Sequence, residues 1–282
     1  MIRIDDAALR LIDLALAEDR GPGDWTTRWI VSARTKASAE IVAKEDGVIA
    51  GLALASAVFL RLDPRVEFEA TVSDGDRVSN GQVVCTIRGP ARAILTGERT
   101  ALNFLQRLSG IATATRRYVD AIAGTRTRIL DTRKTTPAWR ILEKGAVRAG
   151  GGENHRVGLF DMVLIKENHA AIAGGIEEAV RRVRDANTKG LRIEVEARNL
   201  DEVRTALDAR VDRVLLDNMD TQMIREAVRM IRKRATGVEI EASGNMTLER
   251  VREVAEAGVD YISVGAITHS ARALDLSLRI PE

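Results

Sequence analysis

The sequence predicts an α/β protein, a mixed N-terminal region followed by a parallel sheet covered with helices, and three observations carry that reading. Aromatic residues make up 3% of the 282-residue chain, so its core has to be built from Ala, Val, Ile and Leu, which suits parallel strands buried on both faces. Beyond about residue 125, short β-branched runs alternate with segments of helical period, the pattern of consecutive βαβ units. Successive strand ends lie between 21 residues (Glu196 to Asp217) and 35 residues (Asp131 to Lys166) apart, room for a crossover helix in each interval. These spacings fit a barrel or an open sheet equally, and length alone allows one domain or two.

Each element follows from local pattern. Asp5 heads an amphipathic helix that buries Leu9, Ile12 and Leu16 and stops before Gly21 and Pro22. Asp5, Asp6 and Asp13 among its leucines are wrong for a signal peptide or a membrane span. From about residue 36 to 95 the pieces shorten to strand length, as in SAEIVAKEDGVIAG and VEFEATV, broken by DGDRVSNGQ and RGP, which reads as a small α+β domain. The DGDRVSNGQVVCTI run is similar to a biotinyl or lipoyl hairpin, but its Ser79-Asn80 tip has no lysine to carry a prosthetic group, so a structural hairpin is expected. In ERTALNFLQRLSG, Ala101, Leu102, Leu105 and Leu108 form an apolar face, while Arg99, Asn103 and Gln106 form a polar stripe. Six strands follow: RTRILD, MVLIK, RIEVEA, RVLLDN, EIEASG and YISVGA. Helices are expected over Pro137 to Ala149, Gly175 to Ala186, Leu200 to Ala209, Thr221 to Arg234 and Thr247 to Ala257. The expected division is 1–110 and 111–269, with a C-terminal helix at about 270–282 packing back on the first part.

Composition excludes several classes. Forty-three Lys and Arg against 41 Asp and Glu give a net charge of +2, too balanced to announce a nucleic-acid or membrane partner. Cys85 is the single cysteine, so no intrachain disulfide forms and a reducing cytoplasm is the expected location. The charge that matters is local. Arg133, Lys134, Lys166, Glu196, Asp217, Ser243 and Gly265 all stand at or just past strand ends, the face where βα folds build their sites. With His155 and Arg156 from the preceding loop, the cations form a cluster suited to a small polyanion. Glu196 and Asp217 bring opposite charge to the same mouth. Mg²⁺ arriving with substrate phosphates satisfies that combination; no HExxH, CxxC or EF-hand loop provides a metal cage of protein groups alone.

The turns Ser243-Gly244-Asn245 and Val264-Gly265-Ala266 precede helical segments and can cradle phosphate with free backbone N–H groups. Gly150 to Gly152 read as a helix stop and a mobile loop delivering Asn154, His155 and Arg156. His169 and His269 read as structural. Two other functions remain open on the residues alone: Lys166 as a Schiff-base nucleophile, and a non-catalytic sensor using the same anion pocket.

LDTRKTTP (Leu130 to Pro137), GGGENHRVGL (Gly150 to Leu159), LIKENH (Leu164 to His169), EVEA, LLDN, ASGN and SVGAITHS (Ser263 to Ser270) resemble the quinolinate phosphoribosyltransferase family, in its order and over most of the chain. The resemblance implies an N-terminal α/β open-faced sandwich, an incomplete parallel (β/α) barrel and a homodimer. It implies a pentosyltransferase of de novo NAD biosynthesis, which converts quinolinate and phosphoribosyl pyrophosphate to nicotinate mononucleotide, pyrophosphate and CO₂ with Mg²⁺ and no organic cofactor. By position, Arg133, His155 and Arg156 would bind the dicarboxylate, with Arg99 reaching from the partner. Lys134 and Lys166 are the active-site lysines, Glu196 and Asp217 the acidic pair near the ribose, and Thr132, Ser243, Gly244, Asn245, Val264, Gly265 and Ala266 complete the substrate contacts. A paralogue of molybdenum-transport operons shares the DTRK and NHR motifs. Ala138-Trp139, Gly145 and Glu153 depart from the family's commonest pattern.

Overall fold

The computed structural model describes residues 2, 4–234 and 237–281. In chain order its first elements are α1 Asp6–Arg20, α2 Trp25–Ile30, β1 Lys36–Ala43, β2 Gly47–Val48, α3 Leu52–Leu62, β3 Glu67–Ala70, β4 Arg77–Val78, β5 Val83–Pro90 and α4 Ala91–Ala121. There follow β6 Arg128–Leu130, α5 Arg140–Ala149, β7 Val163–Ile165, α6 Glu167–Ala173, α7 Ile176–Ala186, β8 Ile193–Ala197 and α8 Leu200–Asp208. The last are β9 Arg213–Asp217, α9 Thr221–Arg234, β10 Glu239–Ser243, α10 Leu248–Glu256, β11 Tyr261–Ser263, α11 Ala266–His269 and β12 Leu276–Arg279. They divide into two compact units: Met1–Arg116 with Thr136–Gly151 and Ile267–Glu282, and Arg117–Thr135 with Gly152–Ala266. The division is not a single cut in the chain, since the α5 segment joins the first unit.

In the first unit an antiparallel sheet runs β12-β1-β5-β3. Along β1, Ala39, Ile41 and Ala43 are buried while Ser38 and Glu40 are not, the alternation of a sheet with one covered face. Phe59 of α3 stacks on Phe68 of β3 at 6.3 Å, and Leu105 and Leu108 of α4 are fully buried. Asp5 caps α1 by accepting from Ala8 N–H, and Ala8, Ile12 and Leu16 are the buried residues, Ala8 taking the place expected for Leu9. Arg107 binds the carbonyls of Thr268 and Ala271 and lies 3.2 Å from the fully buried Glu143 of α5.

Two expectations are corrected here. The DGDRVSNGQVVCTI run, within 71–90, is not a hairpin: β4 pairs with β2, whereas β5 enters the main sheet between β1 and β3. The C-terminal segment is a strand, not a helix, with Ile41 opposite Leu278. Its sequence LDLSLR alternates with period two, burying Leu274 and Leu276, and β1 offered an open edge.

The second unit is built on a parallel sheet in the order β6-β11-β10-β9-β8-β7. Its first and second strands lie at opposite edges, which is an incomplete parallel barrel interrupted between β6 and β7. Backbone of Glu153 pairs with the free edge of β6, through Glu153 N–H to Ile129 O and Asp131 N–H to Glu153 O. Covering helices start and stop as their sequences dictate. Asn199 caps α8 by accepting from Asp201 and Glu202 N–H groups, and Arg232, Lys233 and Arg234 close α9.

Candidate active site

Period two sorts the inward side chains of the barrel unit by depth. At the mouth stand Lys166, Glu196, Asp217 and Ser243, all at or just past strand ends. Two residues deeper come Leu164, Glu194, Leu215 and Glu241, with Ser263 ending β11; at the base, Arg213 opens β9 beside Glu239 and under the Tyr261 ring. Thr132, Arg133 and Lys134 follow β6 in a turn that Lys134 N–H closes on Thr132 Oγ1 at 3.1 Å. These three, with His155 and Arg156, line the same recess as the mouth residues. Its cavity volume is about 180 Å³, opening to solvent at the mouth.

The loop that supplies His155 and Arg156 is pinned, contrary to the mobile loop expected from its glycines. Gly150 is needed for packing, because a Cβ there would lie 2.5 Å from Ala112 O. Asp131, fully buried, accepts from Asn154 Nδ2 at 2.6 Å and from His155 N–H at 2.9 Å. The Glu153 carboxylate turns to Arg128 at 2.9 Å and is not part of the recess. Beyond Arg156, Asp161 accepts from the Val157 and Gly158 N–H groups.

Electrostatics differ with depth. Arg133, Lys134 and Lys166 are exposed at the rim. Arg156 is 9% exposed, and burial together with the Arg133 charge depresses its pKa. A buried guanidinium held beside a second one is suited to an anion that neutralises both. Glu196 is raised above the ordinary carboxylate range by burial and then by the Asp217 charge, with Lys166 opposing. Asp217 accepts from Asn218 Nδ2 at 2.7 Å.

His155 lines the recess but commits both ring nitrogens to protein groups. Nδ1 accepts from Arg156 N–H at 2.7 Å, and Nε2 lies 3.1 Å from Glu194 and 3.4 Å from Glu241. Burial disfavours a charged ring, but the two carboxylates outweigh it and hold the His155 pKa at about 9. A second ring proton belongs on Nδ1, where an N–H already donates. The geometry is therefore that of the Nε2–H ring, and a charged ring requires the Arg156 peptide to turn. Glu194, raised by burial and by the Glu241 charge, is the acid on which the cluster's proton demand falls.

The two phosphate-type turns also form at this face. Gly244 has φ +92°, and Asn218 and Asn245 have φ of 54° and 50°, left-handed positions that Gly and Asn fill most readily. Val264 N–H bonds Leu130 O, Gly265 follows, and Ala266 opens α11. Ser243 lines the recess; Gly244, Asn245, Val264, Gly265 and Ala266 stand directly after it or after Ser263 in the chain. Arg99 belongs to the first unit, exposed on α4 beside Asn103, whereas Gln106 of the same stripe donates to Leu276 O. His169 accepts from Lys166 N–H at the start of α6, the structural part expected of it.

Sequence reasoning missed Glu194, Glu241 and Asn218. The signal for the two glutamates was present in Glu194-x-Glu196 and Glu239-x-Glu241, where alternation aims a second acid inward below the strand end.

Residues 24–109 match the family described as quinolinate phosphoribosyl transferase, N-terminal domain, and residues 111–279 match its C-terminal domain. The chain belongs to the quinolinate phosphoribosyltransferase family. It is 48% identical over 265 residues to a probable nicotinate-nucleotide pyrophosphorylase (carboxylating) of Synechocystis sp., covering 94% of this chain and 90% of that one. It is 44% identical to quinolinate phosphoribosyltransferase (decarboxylating) 1 of Nicotiana glauca, covering 96% and 81%. The solved nicotinate-nucleotide pyrophosphorylase of Francisella tularensis superposes with a TM-score of 0.92 at 40% identity, over 99% of this chain and 98% of that chain. For a quinolinate phosphoribosyltransferase, Trp139 and Ala138 now have structural accounts: the indole stacks on Phe104 at 4.7 Å, and Ala138 occupies a left-handed position, φ 66°.

Proposed function

We propose that this protein is a decarboxylating quinolinate phosphoribosyltransferase of de novo NAD biosynthesis. The observation that carries the reading is the convergence of Arg133, Lys134, Arg156 and Lys166 with Glu196 and Asp217 on one small recess at the strand ends of the barrel. Cations alone describe an anion binder; the paired acids add what a sugar undergoing substitution needs.

In this reading Arg133 and Arg156 hold the adjacent carboxylates of quinolinate and aim its ring nitrogen at the anomeric carbon of phosphoribosyl pyrophosphate. The nitrogen forms the new C–N bond as pyrophosphate leaves with the electron pair of the breaking C–O bond. Positive charge develops on the ribose, and Glu196 and Asp217 stabilise it, while Lys134 and Lys166 face the leaving phosphates. The ribosylated pyridinium then accepts the electron pair released as the neighbouring carboxylate leaves as CO₂, and a proton takes its place on the ring. No organic cofactor is called for.

The raised pKa of Glu196 beside Asp217 marks two oxygen-donor carboxylates in need of a counter-cation, which fits Mg²⁺. Glu196 and Asp217 would hold it, and when bound with pyrophosphate oxygens it offsets charge on the leaving group. The exposed Arg99, and the exposed Trp25, Trp29 and Ile30 on α2, support a homodimer in which Arg99 completes the neighbouring site. Among the described residues no helix is long and apolar enough to cross a membrane; a cytoplasmic location is part of the proposal.

Calorimetry tests the pocket. Quinolinate binds, and nicotinate, lacking one carboxylate, binds at least about tenfold more weakly, the loss expected for one charged hydrogen bond. Equal affinities would overturn the dicarboxylate reading.

A further inference from the structure

Glu241 sits at the middle of β10 with no solvent exposure, directly under a recess read as a dianion site. A bare carboxylate there opposes the ligand, so its presence needs a reason. Its two oxygens are fixed from different strands: Oε1 accepts from Ser263 Oγ at 2.5 Å, and Oε2 accepts from Arg213 Nη1 at 3.0 Å. Arg213 is itself held by Glu239 and lies against the Tyr261 ring at 4.4 Å. Oε2 also faces His155 Nε2. Glu194 is nearer to that nitrogen, at 3.1 Å, but among the described residues its oxygens have no other group to anchor them. Glu241 is thus the anchored member of the pair.

On the other side of the ring, Nδ1 receives the Arg156 N–H. A chain of contacts therefore runs from the barrel base through Arg213, Glu241 and His155 to the backbone of the one buried arginine of the recess. The same donor set does not suit a metal ion. Although ligand atoms of His155, Glu194 and Glu241 lie within 4.8 Å of one another, the accepting Nδ1 leaves the proton on Nε2, which then has no lone pair to give, and Arg213 already supplies the cation.

We propose that Glu241 is a positioning residue for the dicarboxylate grip, holding the His155 ring so that the ring in turn fixes Arg156 at the recess. The role of His155 then includes orienting Arg156. The inference rests on the dicarboxylate reading of the pocket.

The test compares Glu241→Gln and Glu241→Ala in the full chain. A glutamine can keep all three contacts, its oxygen accepting from Arg213 and His155 and its amide donating to Ser263 Oγ. Glu241→Ala raises KM for quinolinate about tenfold or more while KM for phosphoribosyl pyrophosphate stays within about twofold, and Glu241→Gln recovers most of the loss. Equal rises in both KM values, or a Gln variant as poor as Ala, overturn the proposal. If Glu241→Ala does not fold, Ser263→Ala releases only Oε1 and carries the same split at smaller size; no change in quinolinate KM then overturns it.

A second readout does not depend on turnover. In ¹⁵N spectra of labelled histidine recorded above the His155 pKa of about 9, with His155 assigned by His155→Asn, the wild type and Glu241→Gln show the neutral Nε2–H ring, and Glu241→Ala or Ser263→Ala shifts or broadens it. An unmoved ring overturns the positioning claim, whereas a wild type that perturbs normally but does not turn over quinolinate overturns only the assigned reaction.

Discussion

Replacing Arg156 by Ala separates ligand binding from stability, because the guanidinium favours the bound state but costs the free protein charge repulsion and burial. In the ligand-bound state Arg156 supplies charge-assisted hydrogen bonds worth about 1.5–3 kcal/mol each, so quinolinate affinity falls about 10- to 150-fold. In the free protein the same guanidinium is 9% exposed, depressed by burial and by Arg133, and has a direct bond to Met162 O at 3.1 Å. Relief of that charge offsets much of the lost packing. The melting temperature of the free variant therefore moves by less than about 4 °C, or roughly 1 kcal/mol. Calorimetric titration with quinolinate and, separately, with phosphoribosyl pyrophosphate and Mg²⁺, alongside thermal melts, reads all three quantities. Equal losses for both ligands, or a free variant destabilised by several kcal/mol, would refute the reasoning.

Three further outcomes are expected. Gly244→Ala puts a Cβ 2.1 Å from Asn218 Oδ1 at a left-handed φ; thermal unfolding should show a loss of about 2–4 kcal/mol, with kcat reduced because Asn218 holds Asp217, and an unaltered variant would contradict the account of that turn. Ala138→Gly relieves φ 66° and stabilises by about 1 kcal/mol in denaturant titration; a loss of stability would show that the position carries no strain. Cys85, fully buried and with its thiol pushed up to about 12, stays protonated through neutral and mildly alkaline pH, so a disulfide exchange reagent at pH 8 reacts with it only after denaturant is added. Rapid labelling of the native protein would exclude that burial.

Local patterns were legible and distant pairings were not. The six parallel strands announced themselves because each is a short β-branched run ending in a polar or glycine turn, so Lys166, Glu196, Asp217 and Ser243 were readable as mouth residues. Strand order was not, since nothing in RVLLD states that its neighbours are β8 and β10. The same limit explains β5, which lies between β1 and β3, and not against the adjacent β4. The C-terminal strand carried its period-two signature in LDLSLR but required the unpaired edge of β1 to become a strand. At the site, Glu194 and Glu241 were hidden one layer below the strand ends. The ring contacts of His155 depended on an Arg156 peptide whose orientation only the folded loop determines. Glu153 shows the converse: in the sequence it is an extra negative charge beside the NHR motif, yet its side chain pairs with Arg128 and does not line the recess.

Release of labelled CO₂ from quinolinate labelled in the carboxylate next to the ring nitrogen tests the central claim most directly, because it requires the dicarboxylate, the activated ribose and the acidic pair to act together. The expected result is release that depends on both phosphoribosyl pyrophosphate and Mg²⁺ and appears in equal amount with nicotinate mononucleotide. Binding of quinolinate without label release under those conditions, or release that ignores phosphoribosyl pyrophosphate, would contradict it.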